Sequence, residues 1–152
     1  MRVQDMMIRS VAFCVPEDSL GRAAQLMWER DCGTIPVVGR GGEVVGIVTD
    51  RDVCMAAHFT GRRLLDIPVS EVMSRVVHVC GPADSIESAE AIMRNNQVRR
   101  LPVVDEFRRL VAILSMADIA RHTRPTVMQP AHALPLLVET LARISEPRAR
   151  PN

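Results

Sequence analysis

Four side chains in this 152-residue sequence have the type and spacing to do chemistry: Thr49, Asp52, Ser115 and Asp118. Thr49 and Asp52 close the stretch Gly46-Ile47-Val48-Thr49-Asp50-Arg51-Asp52, in which Val44, Val45, Ile47 and Val48 form a β-rich apolar run. The run predicts a buried strand, with Thr49 at a helix N-cap and Asp52 on the first turn. Two chemistries fit that placement. The ordinary one is a capping box, in which hydroxyl and carboxylate each satisfy a free backbone donor. The other is a nucleotide cradle. Free N–H groups and the helix dipole attract phosphate, and a first-turn carboxylate accepts bonds from ribose hydroxyls. Gly46 marks a point where a backbone or a ligand can approach closely. One copy of the pattern favours the cap.

The pattern occurs twice. Ala112-Ile113-Leu114-Ser115-Met116-Ala117-Asp118 lies 66 residues further on, and the offset extends well beyond the motif. Met7 falls on Met73, Cys14 on Cys80, Pro16 on Pro82, Asp18-Ser19 on Asp84-Ser85, Met27 on Met93 and Pro36-Val37-Val38 on Pro102-Val103-Val104. No gap is needed between residues 5 and 56. A fixed period with matching turn and apolar positions is the signature of a duplicated unit. With two copies, the expectation is a pair of similar halves packed about a pseudo-twofold axis.

The elements that must position these side chains follow in order. Val3–Met7 predicts a helical turn, Val11–Val15 a strand ended by Pro16, and Asp18 or Ser19 is expected to cap a helix through about Arg30 with Leu20, Ala23, Ala24 and Met27 on its apolar face. Strands are expected at 35–38 and 44–48, joined by a glycine-rich turn at 39–42, then a helix from Thr49 to His58. The second copy repeats this as strand 76–80, helix 85–96, strand 101–104, turn 105–108, strand 109–114 and helix 115–122. Each unit is β-α-β-β-α, an α+β pattern, since the hairpin is incompatible with an alternating parallel sheet. The first repeat is assigned to residues 1–62, a linker to 63–69, the second repeat to 70–124 and an extension to 125–152. In the extension Thr123–Gln129 is expected to be irregular. Leu134, Leu137, Val138, Leu141 and Ile144 predict a helix near 133–145 whose stripe must be buried against the repeats or another chain. The tail from Glu146 is expected to be disordered.

Composition narrows the function. A net charge of +1 gives no field that singles out nucleic acid or an anionic membrane. No apolar run reaches the roughly 18 to 20 residues of a membrane span, and the N-terminus lacks the core of a signal peptide. A cytoplasmic protein is expected. The four cysteines form no Cys-x-x-Cys, and His58, His78, His122 and His132 lack ligand spacing, so buried thiols are expected and a metal site is not. No nucleophile–base or paired-carboxylate constellation is present, which argues against an enzyme.

With Gly-Ile-Val-Thr-Asp-Arg-Asp, Ile-Pro-Val-Val and Gln-Val-Arg-Arg-Leu-Pro-Val-Val-Asp all in one register, residues 5–122 resemble a tandem pair of cystathionine β-synthase (CBS) domains, a Bateman module. The chain looks like the stand-alone members of that family. The resemblance implies a regulatory sensor that binds adenosine-type ligands (AMP, ADP, ATP or S-adenosylmethionine) in clefts between the paired repeats, with no cofactor required. It implies hydroxyl and ribose contacts at Thr49 and Asp52 in a first site and at Ser115 and Asp118 in a second. Adenine is implied to rest on Val76, Val77 and His78 in the first site and on Val11, Ala12 and Phe13 in the second. It also implies phosphate contacts at Arg99 and Arg100 in the second repeat. The first has Gly33 and Thr34 there, so its charge must come from Arg51 or from across the cleft. Ala112 in place of Gly46's counterpart narrows the second cleft, and unequal sites are expected. A homodimer and a regulated partner protein complete the expectation. The alternative is an interaction module with empty clefts.

Overall fold

A computed structural model describes residues 1–122 and 134–146. The expected irregular stretch 123–129, the first residue of the expected helix at 133, and the tail beyond Glu146 lie outside the described residues. After a 3-10 turn at Val3–Asp5, the first half runs as α1 (Leu20–Glu29), β1 (Thr34–Val38), β2 (Val44–Thr49) and α2 (Asp50–Thr60). A second 3-10 turn, Leu64–Asp66, and the short α3 (Val69–Val72) lead into the second half. That half runs as α4 (Ile86–Asn96), β3 (Arg100–Val104), β4 (Leu110–Ser115) and α5 (Met116–His122), and α6 (Leu134–Ile144) follows. The fold is mixed α and β, with two helix–hairpin–helix repeats and an added C-terminal helix.

Local chemistry accounts for most of these boundaries. Ser19 and Ser85 cap α1 and α4, their hydroxyls accepting from the Arg22 and Ser88 N–H groups at 3.1 Å. β1 pairs antiparallel with β2 from Thr34↔Thr49 to Val38↔Val44, and β3 with β4 from Arg100↔Ser115 to Val104↔Leu110. Each hairpin needs one residue in the left-handed region before its second strand. The first uses Gly42 (φ +84°) and the second tolerates Arg108 (φ +61°).

The two leading strands expected at 11–15 and 76–80 are not strands. Each is reduced to one parallel bridge, Cys14 to Val37 and Cys80 to Val103. The reason is tertiary. Ile8 exchanges backbone bonds of 2.9 and 3.0 Å with Ile113 on β4, and only then does the chain reach Cys14, whose N–H donates to Pro36 on β1 at 3.0 Å. Ser74 bonds Ile47 on β2 in the same way before Cys80 reaches Pro102 on β3. Residues 9–13 and 75–79 are therefore spent crossing from one hairpin to the other, and cannot run along either.

This crossing exchanges the leading segments between halves. Val3, Met6 and Met7 are buried with Cys80, Ile86, Met93, Leu101 and Leu114 in one core. Ile67, Val69 and Met73 are buried with Cys14, Leu20, Ile35 and Val48 in the other. The pairings obey the 66-residue offset: Ile8–Ile113 matches Ser74–Ile47, and Arg2–Ser85 matches Pro68–Ser19. The Val44 and Leu110 N–H groups donate to Arg108 and Gly42 carbonyls, both at 3.0 Å. The Glu43–Arg109 bridge maps onto itself. The pseudo-twofold axis passes there, through the hairpins.

α6 lies along α4. Arg94 donates to the Thr140 hydroxyl at 3.3 Å, the Gln97 amide reaches the Arg143 carbonyl at 3.3 Å, and Leu137 and Ile144 are buried in the second core. The expected stripe is only partly covered, since Val138 and Leu141 remain exposed. Among the described residues no helix is long and apolar enough to cross a membrane.

Candidate functional site

Both motifs fold as the capping boxes that their spacing allows. In the first, the Thr49 hydroxyl donates to Asp52 Oδ2 at 2.7 Å and accepts from the Asp52 N–H at 3.2 Å, while Oδ2 also accepts the Thr49 N–H at 2.8 Å. In the second, the corresponding distances at Ser115 and Asp118 are 2.6, 3.2 and 2.8 Å. The two carboxylates differ in what remains. Asp52 is half-buried, and none of the described bonds uses its Oδ1. Asp118 is 2% exposed and its Oδ1 is taken by the Arg121 guanidinium. Asp52 can accept a further donor at Oδ1 as it stands, whereas Asp118 is buried and its Oδ1 already holds Arg121.

Thr49 and Ser115 are also the pairing partners of Thr34 and Arg100, which occupy equivalent places at the starts of β1 and β3. These two touch across the axis. Arg100 Nη1 donates to the Thr34 hydroxyl at 3.2 Å, and Thr34 is 7% exposed. The guanidinium expected to serve the second site thus lies between the two motifs, its tip on the first half. Arg99 and Arg51 are exposed. At Gly33, the counterpart of Arg99, an added Cβ would stand 2.7 Å from Oδ2 of the exposed Asp50 side chain.

Gly46 has a packing role. A Cβ there would fall 2.5 Å from Met73 Sδ and 3.2 Å from the Ser74 carbonyl, so the crossing segment makes a close approach at this glycine. Ala112 is fully buried in the second core with Met7. The stretches named for adenine are the crossing stretches. Phe13 is 52% and Val76 73% exposed, while Val11, Ala12, Val77 and His78 are half-buried. Phe13 and Val76 thus leave apolar surface exposed.

Other chemistry is weak. Cys14 and Cys80 are buried, and burial pushes their thiols up to about 11 and about 12, which keeps them protonated and unreactive. Among the described residues no three His, Cys, Asp or Glu side chains gather as metal ligands. Asp50 and Arg121 join the site without having been singled out in sequence, whereas Thr34 was named only as the uncharged counterpart of Arg100. The Asp118–Arg121 pair has i, i+3 helical spacing, which α5 makes adjacent.

Comparison with known proteins bears on the family. The CBS domain family pattern matches residues 3–58 and again 69–124. The CBS domain-containing protein YhcV of Bacillus subtilis is 40% identical over 118 residues, covering 78% of this chain and 82% of that protein. Hypoxic response protein 1 of Mycobacterium tuberculosis is 32% identical over 138 residues, covering 91% of this chain and 92% of its own. Among solved structures, CBSX2 in complex with AMP superposes with a TM-score of 0.70 at 25% identity, over 80% of this chain and 94% of that one.

Proposed function

The chain belongs to the CBS domain family, and we propose on that footing that it is a regulatory module, without catalytic activity, that binds an adenosine-type ligand in the clefts between its halves. The observation that carries this is the pair of N-terminal carboxylates at equivalent places, Asp52 with a carboxylate oxygen to spare, each beside the axial Thr34–Arg100 contact. In each cleft the carboxylate takes the ribose hydroxyls, the helix N-terminus and arginine attract phosphate, and a crossing stretch covers adenine. Val76, Val77 and His78 serve the first site, and Val11, Ala12 and Phe13 the second. AMP, ADP or ATP suits the arginines, and S-adenosylmethionine remains a candidate where less negative charge is presented. The AMP complex of CBSX2 supports this ligand class. The module acts in the cytoplasm as a homodimer, on a partner protein that it regulates.

Calorimetry and thermal melts with AMP, ADP, ATP and S-adenosylmethionine test the reading, because a ligand that binds only the native state raises its melting temperature. Asp52→Ala and Asp118→Ala should each remove one site, weakening it about tenfold or more, as expected for a lost charged hydrogen-bond partner. Normal binding by both variants, with lower melting temperatures, would show that the carboxylates only cap. A second reading, a protein-interaction module with empty clefts, draws on Trp28 and Phe59, which are 88% and 79% exposed on the first half. It predicts no stabilisation by any of the four ligands.

A further inference from the structure

Arg100 stands where a twofold-related pair of side chains meets, and its counterpart in that pair is a threonine. Its backbone faces Ser115 across the β3–β4 ladder, and its guanidinium rests on Thr34, which faces Thr49 across the β1–β2 ladder. The arginine therefore links the residues opposite the two candidate hydroxyl donors. At the matching places the first half carries no cation: Thr34 is uncharged and Gly33 has no side chain, and the exposed Arg51 lies instead on the first turn of α2. In the second half Arg121 is engaged by Asp118.

We propose that Arg100 is shared by the two clefts, so that a phosphorylated ligand in one lowers the affinity of the other for a second. This rests on the adenosine-binding reading and adds a regulatory consequence to it. The first cleft should fill first, since Arg100 already points to it and Asp52 needs no rearrangement. A phosphate there draws the guanidinium into a charge-assisted contact. The second cleft must then bind its ligand without it. Two sites that compete for one group are coupled, and the coupling is reciprocal. A ligand without phosphate makes no demand on Arg100, so adenosine should bind the two clefts without this penalty.

Calorimetric titration of the full chain with AMP and with adenosine tests the idea. Wild type should show two AMP steps separated by about tenfold or more, the loss expected for a charged hydrogen bond. Asp52→Ala, with Asp52→Asn as the milder version, disables the first cleft. The single AMP step that remains should then be several-fold tighter than the weak wild-type step, because Arg100 is released to the second cleft. The adenosine step should not tighten, and Arg100→Ala should abolish the gain. Two equal AMP steps in wild type, or a remaining step in Asp52→Ala no tighter than the weak one, would overturn the sharing while leaving the adenosine reading intact. Failure of wild type to bind adenosine or AMP would overturn both.

Discussion

At the start of its middle strand the first half has Gly33 and Thr34, where the second has Arg99 and Arg100; after the next strand it has Asp50, where the second has Met116. The backbones around these positions are the same. The Asp50 N–H donates to the Gly33 carbonyl at 3.2 Å, and the Met116 N–H to the Arg99 carbonyl at 3.0 Å. The capping boxes differ by no more than 0.1 Å between halves. The repeats therefore agree where the backbone demands a particular donor or acceptor and differ in the side chains around it. A second difference lies outside the clefts. α6 covers α4 in the second half, with Arg94 on Thr140, while the counterpart of Arg94 on α1 is the exposed Trp28. Duplication supplied two equal scaffolds, and side chains at a handful of positions made them unequal.

The largest effect that could break this comparison is at the helix cover. Leu137→Ala should cost about 2–5 kcal/mol in urea unfolding, because Leu137 is buried in the second core. Trp28→Ala, on the matching face of the first half, should stay within about 0.5 kcal/mol. A comparable loss at Trp28 would mean that its face is also covered in solution.

A smaller effect is expected where the leading segments cross. Gly46→Ala places a methyl against Met73 and the Ser74 carbonyl and should cost about 1–3 kcal/mol through overpacking. Ala112→Gly, the reciprocal change, should cost about 1 kcal/mol from backbone entropy. Thermal melts would show whether Gly46→Ala is the worse of the two. If it were neutral, the crossing would not dictate glycine there.

The smallest effect is at Glu90, whose counterpart on α1 is Ala24. Glu90 is 3% exposed, its Oε1 meets no donor, and burial, aided by Glu87 and opposed by Arg94, raises its carboxyl above the usual range. The native state thus favours the protonated form. The stability this gives is complete below the ordinary carboxylate pKa and is lost as pH rises through the raised native value. Glu90→Leu should therefore stabilise the protein by about 1 kcal/mol at pH 7, with the gain shrinking toward roughly pH 4. Melts across that range are the check, and a gain independent of pH would point to packing rather than charge.

The sequence by itself determined whatever depends on neighbours a few residues away. Ser19, Thr49 and Ser85 cap helices because a hydroxyl three residues from a free N–H can reach it in any context. The hairpins follow from turn residues between β-rich runs, and the halves from the constant offset. The same offset places Asp52 and Asp118 at equivalent positions, so both carboxylates were legible from spacing alone. Tertiary structure decided the rest. Residues 11–15 and 76–80 read as strands, but a chain that must pair with β4 and then β1, or with β2 and then β3, has only single bridges to spare. Gly46 read as a point of close approach by a backbone or a ligand, and only the fold supplies Met73 and Ser74 as the groups that approach it. Arg100 read as an arm of its own repeat and rests on the other. In each case the deciding contact joins residues far apart in the chain. Composition and periodicity set which residues are apolar or charged, but only the packing of the two halves sets which of them meet.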